Sequence, residues 1–425
     1  MLIHSASQLL TLQGEPQRGG DLGRLGIIED GAVLVRGETI EAVGSSAELR
    51  AAFLDEPAYD ASGRVVMPGF VDPHTHLIWA GDRAGEFELR LQGKSYLEIL
   101  AAGGGILSTV RATRAASIEE LMAATRPRLN TMLAYGTTTA EAKTGYGLDL
   151  DTEMRMLEAL LRLDKEGPLD LAITFLGAHA IAPEFTGDPD GYTDMLCQLI
   201  LPAIENWWRE RAGSADDPTG SSEGSENRPL PFVDVFCETG AFNLAQSRRI
   251  LEQASDLGFP LKIHADEFDN LGGAALASEL GAVSADHLVA TSPGDIAALA
   301  RSDTVAVALP CTPFGLSDAH YTPAREILAA GGLLALATDL NPGTAWCESM
   351  QFVLALATRY LGLTPAQAIA AATINAAAAI GRSDRVGSIE PGKQADLLVL
   401  SVPDYRHLGY RFGTNLVQTV MKKAG

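Results

Sequence analysis

"GFVDPHTH", residues 69–76, shows the pattern from which the fold of this chain is predicted. A short apolar run, typical of a buried strand, ends in polar residues, here His74 and His76. Seven further runs share this form of apolar body and polar tip. They are "TTTAEAK" (137–143), "LAITFLGAH" (171–179), "VDVFCETG" (233–240), "LKIHADE" (261–267), "AVSADH" (282–287), "VAVALP" (305–310) and "LLALATD" (333–339).

Helical segments separate these eight runs. One helix is predicted to begin at Ser117, where Glu120 completes a capping box. Ser292 and Thr364, each followed by proline, are further helix starts. Eight strands alternating with helices predict an α/β fold, a (β/α)8 TIM-type barrel whose active site lies where the strands end.

Both ends of the chain are predicted to form short strands. "GAVLVRGETIEAVG" (31–44) alternates apolar and polar residues around a turn at Gly37, and "GSIEPGKQADLLVLSV" (387–402) has a turn followed by an apolar strand. We therefore expect a small β-sandwich domain from residues 1–66 plus 386–425, and a barrel from residues 67–385. The stretch 209–231, rich in Ser, Gly, Pro and acids, is expected to be a mobile acidic insertion without chemistry.

Composition excludes several classes of partner. The formal charge of −22 argues against nucleic acid, and an anionic substrate would need local cations in its pocket. No apolar run is long enough to cross a bilayer, so no membrane partner is expected. The four cysteines show no C-x-x-C spacing and the start lacks a basic leader, which together predict reduced thiols and a cytoplasmic location.

Reactive side chains cluster at the predicted strand ends. Residues i and i+2 of a strand point to the same face, so the H-x-H pair of the first run can reach one metal ion, although the pair alone is a weak signal. A hydrogen-bonded histidine at the core edge would explain any single case. The whole set predicts a shared metal site with an open position for water. Its members are His74, His76, His179, His264, His287 and Asp339.

The motifs carry a resemblance to a known family. "MPGFVDPHTH", "KIHADE", "ADH" and "ATDLNPG" resemble the amidohydrolase superfamily. Within it, "GDR", "AGGGI", "EAKTGYGL", "FLGAHA", "IHADEF" and "TDLNPGT", in order over nearly the whole chain, are similar to the imidazolonepropionase family. The resemblance implies one Zn²⁺ or Fe ion per subunit. Its implied ligands are His74, His76, His264 and Asp339. Lys143 would be a bridging carboxylated lysine in a binuclear site, but a structural role beside a single ion is expected.

The resemblance also implies the reaction. The small-molecule substrate would be 4-imidazolone-5-propanoate, whose cyclic amide is hydrolysed to N-formimidoyl-L-glutamate in histidine degradation. A metal ion lowers the pKa of bound water to ~7, and positioned side chains must then move protons. Asp339 and His287 suit the water side, and Glu267 suits the leaving ring nitrogen. Which group moves which proton stays open.

Substrate binding requires a cation for the propanoate carboxylate. Arg83 is the candidate for a bidentate contact, with an ordinary surface arginine as the alternative. The glycine-rich stretch 101–107 is either a cover over the pocket or a set of tight turns. Further substrate-binding candidates implied by the resemblance are Tyr146, His179, Asn341, Gly343 and Thr344.

Two alternatives remain at this point. Another mononuclear amidohydrolase, such as an aromatic or guanine-type deaminase, would share the metal ligands but would not need Arg83 and Tyr146 for a propanoate. A non-enzymatic scaffold on a dead barrel is disfavoured because every expected ligand is present. A homodimer is expected from the superfamily.

Overall fold

Strands from both ends of the chain form one sheet, as predicted. The computed structural model describes residues 1–94, 98, 103–212 and 229–423. The sheet is mixed and seven-stranded, in the order β15-β14-β5-β1-β2-β3, with β4 paired to β1. Its strands are β1 (Leu2–Leu10), β2 (Ile27–Arg36), β3 (Thr39–Ser45), β4 (Ala58–Asp60), β5 (Val65–Pro68), β14 (Leu397–Leu400) and β15 (Val417–Met421).

The eight central strands form a second, parallel sheet in chain order, as the eight apolar runs predicted. The strands are buried on both faces, which explains their apolar composition. They are β6 (Phe70–Asp72), β7 (Thr137–Lys143), β8 (Asp170–Ala178), β9 (Phe232–Cys237), β10 (Lys262–Ala265), β11 (Ser284–His287), β12 (Val305–Ala308) and β13 (Leu333–Leu336).

The barrel closes beyond the ends of β6 and β13. Thr75 pairs in parallel with Leu340. The His76 N–H donates to the Leu340 carbonyl at 2.8 Å, and the Asp339 N–H donates to the His74 carbonyl at 3.1 Å. Closure therefore brings together the first and last of the predicted metal ligands.

Helices follow the strands around the barrel. The predicted starts are confirmed, since Ser117, Ser292 and Thr364 each cap a helix through a reciprocal capping box. Within the described part of the chain the α-helices are α1 (Ser46–Ala52), α2 (Ala84–Leu91), α3 (Ile106–Ala115), α4 (Ile118–Ala134), α5 (Leu150–Glu166), α6 (Pro189–Met195), α7 (Leu201–Ala212), α8 (Leu244–Asp256), α9 (Gly273–Leu280), α10 (Pro293–Ala300), α11 (Cys311–Leu316), α12 (Ala324–Ala329), α13 (Met350–Tyr360), α14 (Pro365–Ala371), α15 (Ile374–Ala378) and α16 (His407–Tyr410).

Two of the expectations on chain organisation are not decided by this architecture. The expected insertion at 209–231 lies largely outside the described residues, because 213–228 are not among them. The domain boundaries stay a proposal, with β5 of the terminal sheet ending at Pro68 and β6 of the barrel beginning at Phe70. Among the described residues, no helix is both long enough and apolar enough to span a membrane.

Candidate metal centre and substrate pocket

Four predicted ligands meet at the carboxyl ends of the barrel strands. His74 and His76 follow β6, His264 lies in β10, and Asp339 follows β13. Asp339 Oδ1 lies 3.5 Å from His74 Nε2 and 3.6 Å from His76 Nε2. The Nε2 atoms of His76 and His264 face each other at 3.3 Å. The ligand atoms form two groups that could hold a metal ion and that share His74, one with His76 and Asp339 and the other with His264 and His287.

The outer nitrogens of two of these rings face carboxylates. His74 Nδ1 hydrogen-bonds Asp286 Oδ2 at 2.7 Å, and His264 Nδ1 lies 3.0 Å from Asp234 Oδ2. The Nε2 atoms therefore face the centre of the site. His74 Nε2 is buried there without a hydrogen-bond partner among the described residues. Such carboxylate–histidine pairs are the usual support of metal-bound imidazoles. The donor set fits one metal ion.

Burial shifts the pKa values of three of the predicted ligands. It lowers the pKa of His74 and His76 well below the ordinary value, and neighbouring positive groups lower it further. Burial raises the pKa of Asp339 to about 6, although a hydrogen bond from the Thr312 hydroxyl opposes the rise. Near neutral pH the imidazoles of His74 and His76 are neutral and the Asp339 carboxylate is ionised, as metal ligation requires.

A fully buried layer of charged residues lies beneath these ligands, and we call it the ionic floor. Lys143 Nζ lies 2.9 Å from Glu141 and 2.6 Å from Asp234, and Lys262 Nζ lies 3.0 Å from Glu141. Each side chain is 0% exposed. The members of the floor are Glu141, Lys143, Asp234, Lys262 and Asp286.

Lys143 holds its charge within this floor. Burial alone would lower its pKa, but the carboxylates of Asp234, Glu141 and Asp286 together raise it above its ordinary value. A carboxylated lysine forms only from a neutral amine, so these ion pairs disfavour a bridging role. The geometry supports the expected structural role beside a single ion.

The sequence reasoning missed most of this supporting layer. Asp234, Asp286, Glu141 and Lys262 lie within the predicted strands but were not predicted as site residues, and Thr312, whose hydroxyl donates to Asp339 Oδ2, lies outside the predicted strands. A signal was available, because a charged residue inside an apolar strand is almost never fully buried unless it is paired. The spacing of these residues along the sequence does not show which of them form ion pairs with one another.

A cavity of about 170 Å³ opens above the ligands. Every predicted catalytic or substrate-binding side chain lines it, whereas His74 is fully buried beneath. The lining residues are His76, Arg83, Ile106, Tyr146, His179, Phe236, His264, Glu267, Phe268, His287, Asp339, Asn341, Gly343 and Thr344.

Aromatic rings build one wall of the cavity. The His179 ring stacks on His76, with centroids 4.7 Å apart and planes at 17°, and Tyr146 lies 5.2 Å from His179. Burial lowers the pKa of His179 to about 3, so this ring is neutral. The loop that carries Tyr146 is held by the buried Glu153 carboxylate, which accepts hydrogen bonds from the N–H groups of Gly145, Gly147 and Leu148.

Glu267 and His287 are neighbours in the cavity lining, with Glu267 Oε2 lying 3.7 Å from His287 Nε2. Burial, together with the nearby Asp339 and Glu238 carboxylates, raises the pKa of Glu267 well above its ordinary value. Burial lowers the pKa of His287 well below its ordinary value. The shifts favour the protonated form of the Glu267 carboxyl group and the neutral form of the His287 imidazole, which are a proton donor and a proton acceptor.

The backbone is strained where two of these side chains are displayed. His287 has φ 79° and Asp339 has φ 54°, both in the left-handed region that residues other than glycine rarely adopt. The Thr322 hydroxyl donates to the His287 carbonyl at 2.6 Å, which helps to hold this conformation. Strain of this kind is concentrated at functional sites.

The loop after β13 is organised by Asn341. Its Oδ1 accepts from the N–H groups of Gly343 and Thr344, both at 2.8 Å, and its Nδ2 donates to the Asp339 carbonyl at 2.7 Å. A Cβ at position 343 would lie 2.5 Å from Arg83 Nη1, so a larger residue there would displace the guanidinium from its present position. The loop thus supports both Asp339 and Arg83.

Comparisons with known proteins agree with this geometry. Two amidohydrolase family models match residues 241–424 and 58–102, and a model described as a bacterial imidazolonepropionase-like composite domain matches residues 31–53. Imidazolonepropionase of Herpetosiphon aurantiacus is 53% identical over 421 residues, which cover 99% of this chain and 95% of that protein. The Chloroflexus aggregans enzyme of the same name is 50% identical, covering 100% of this chain and 97% of that protein.

Solved structures share the architecture at low sequence identity. Guanine deaminase of E. coli has a TM-score of 0.71 at 14% identity, covering 100% of this chain and 97% of that one. A 5-methylcytosine deaminase from Klebsiella pneumoniae has a TM-score of 0.71 at 18% identity, covering 100% of this chain and 96% of that one. Identities this low show the fold alone.

Proposed function

The chain belongs to the imidazolonepropionase family of amidohydrolases, and on this premise we propose how its side chains divide the work of the reaction. It is a hydrolase that acts on a carbon–nitrogen bond, and its reaction is the opening of the ring of 4-imidazolone-5-propanoate to N-formimidoyl-L-glutamate in histidine degradation. The carrying observation is a pair of buried ligand groups that share His74, one with His76 and Asp339 and one with His264 and His287, beneath a cavity that also contains an arginine.

One metal ion, Zn²⁺ or Fe, would be held by His74, His76, His264 and Asp339. When bound, such an ion makes hydroxide available near neutral pH and polarises a carbonyl oxygen. Asp286 and Asp234 orient the rings of His74 and His264 toward the centre. Nitrogen and oxygen ligands of this kind suit either metal. Metal analysis of the purified protein tests this assignment, with one ion per chain expected.

Proton transfer is assigned to three side chains around the cavity. Hydrolysis adds water across the ring C–N bond, so one proton must leave the water and one must reach the departing ring nitrogen. Asp339 and the neutral His287 are placed to take the first proton. Delivery of the second is assigned to Glu267, because burial raises the pKa of its carboxyl well above the ordinary value and so favours the protonated form. Its position 3.7 Å from His287 allows the proton to be returned between turnovers.

Substrate orientation is assigned to the upper part of the cavity. Arg83 would bind the propanoate carboxylate, supplying the local cation that a chain of formal charge −22 needs. Tyr146 and His179 would contact the ring, and Asn341, Gly343 and Thr344 would bound it on the opposite side. These assignments explain why an arginine and a metal centre share a single small cavity.

One assay separates this function from the runner-up, a guanine-type deaminase. Purified protein is given 4-imidazolone-5-propanoate and, separately, guanine and related aminoazines. Turnover of the imidazolone alone is expected, whereas turnover of the aminoazines alone would refute the proposal. We further propose that the enzyme acts in the cytoplasm as a homodimer, without nucleic-acid or membrane partners. Sedimentation analysis tests the dimer.

A further inference from the structure

Arg83 is held along one edge of its guanidinium by a neighbouring carboxylate. Its Nε donates to Glu86 Oε2 at 2.9 Å, and both side chains are 15% exposed. Within the part of the chain that the structure describes, neither Nη1 nor Nη2 of Arg83 donates a hydrogen bond to the protein. Because Arg83 lines the cavity, the edge that Glu86 leaves free is the one available to a ligand. We call Arg83 and Glu86 the rim pair.

Glu86 is itself fixed by the start of α3. Its second oxygen, Oε1, accepts from the Gly105 N–H at 3.1 Å and from the Ser108 hydroxyl at 3.0 Å. Gly105 has φ 76° and precedes Ile106, which lines the cavity. The carboxylate therefore joins α2, α3 and the end of the glycine-rich stretch at one point. A side chain with all of these contacts is poorly able to turn away from Arg83.

The opposite side of the guanidinium is bounded by the loop after β13. Gly343 leaves room for Arg83 Nη1, and Arg90 Nη2 donates to the Gly343 carbonyl at 3.0 Å. Arg83, Arg90 and Glu86 together carry one net positive charge beside this loop. This arrangement keeps Arg83 attractive to an anion while its orientation is restricted from both sides.

We propose that Glu86 is a positioning residue for substrate recognition, which holds Arg83 so that both Nη atoms point at the propanoate carboxylate. The inference rests on the proposed function. A free arginine loses side-chain entropy when it forms a bidentate contact, and an arginine fixed beforehand does not. The negative charge of Glu86 opposes the substrate, but it lies on the far edge of the guanidinium, so the gain in orientation outweighs the repulsion.

The test is Glu86→Gln, studied with the full-length metal-loaded enzyme. The amide can still accept hydrogen bonds from Gly105 and Ser108, but it loses the charge that binds Arg83 Nε. We expect KM for 4-imidazolone-5-propanoate to rise about tenfold, with kcat within about twofold of the parent, because ground-state and transition-state binding are weakened together. Glu166→Gln is the control, since Glu166 pairs with Arg126 at 2.6 Å on the surface and should leave KM unchanged.

Two further measurements separate positioning from a general structural role. With the propanamide analogue, which lacks the carboxylate, Glu86→Gln should leave KM unchanged. In an Arg83→Ala background, Glu86→Gln should add no further rise in KM. Equal losses with both substrates, an additive double variant, or a fall in KM would each overturn the inference. If the parent enzyme does not turn over the imidazolone, the proposed function fails. If Arg83→Ala raises KM and Glu86→Gln does not, the inference alone fails.

Discussion

The ionic floor and the rim pair are both built from opposite charges, but their surroundings differ. In the floor, Lys143 and its carboxylate partners are fully shielded from water, whereas Arg83 and Glu86 are each 15% exposed at the mouth of a cavity. Breaking a buried ion pair leaves an uncompensated charge in the protein interior, while water relieves much of that cost at the rim. We therefore expect the floor to fix the proposed metal ligands and the rim to tune affinity for the substrate.

Loss of a metal ligand above the floor should have the largest effect. His264→Ala removes one of the three converging nitrogens, so we expect metal content to fall together with a loss of about 10³-fold or more in kcat/KM. Metal analysis and steady-state kinetics on the same preparation measure both. His320→Ala, at a side chain that is 84% exposed, is the control and should alter neither. Full activity of a His264→Ala enzyme without metal would contradict the assigned centre.

Loss of a floor cation should mainly affect stability. Lys143→Met keeps the side-chain volume but leaves Asp234 and Glu141 facing each other without their shared cation. We expect the free energy of unfolding to fall by about 3–5 kcal/mol, measured by urea denaturation. Lys94→Met, at an exposed pair with Glu98, should cost no more than about 1 kcal/mol. Equal losses in the free energy of unfolding at the two positions would contradict the expected difference between buried and exposed ion pairs.

Loss of the rim cation should affect affinity. Arg83→Ala removes the proposed carboxylate contact, so KM for the propanoate substrate should rise about 10- to 100-fold while metal content stays unchanged. Arg126→Ala, at a surface ion pair, is the matched control. An unchanged KM in Arg83→Ala would show that the propanoate is anchored elsewhere.

A helix cap far from both regions gives the baseline for an ordinary surface contact. Ser117→Ala removes the side chain that accepts the Glu120 N–H at the start of α4. We expect a stability loss of about 1 kcal/mol with no change in KM or metal content. Urea denaturation and kinetics on one preparation check this. A change in metal content would indicate that α4 is coupled to the site.

The fold was predictable because its signal is local. All eight barrel strands were found as apolar runs with polar tips, and the helix starts at Ser117, Ser292 and Thr364 were found from cap residues. Burial on both faces of a parallel strand imposes an apolar composition on each segment separately. The partners inside the barrel were not predictable, because Asp234 reaches Lys143 across 91 positions of sequence.

The sequence by itself determined which side chains stand at the strand ends, among them His74, His76, His264 and Asp339, because strand periodicity and the limits of apolar runs are properties of each segment. Only the tertiary structure decided that these four lie together, that Asp286 and Asp234 face two of the rings, and that Gly105 and Ser108 fix the Glu86 carboxylate beside its helix neighbour Arg83. Barrel closure brings the first and last of these ligands together. It pairs Thr75, after β6, with Leu340, after β13, and no local pattern encodes a contact between segments so distant in the sequence.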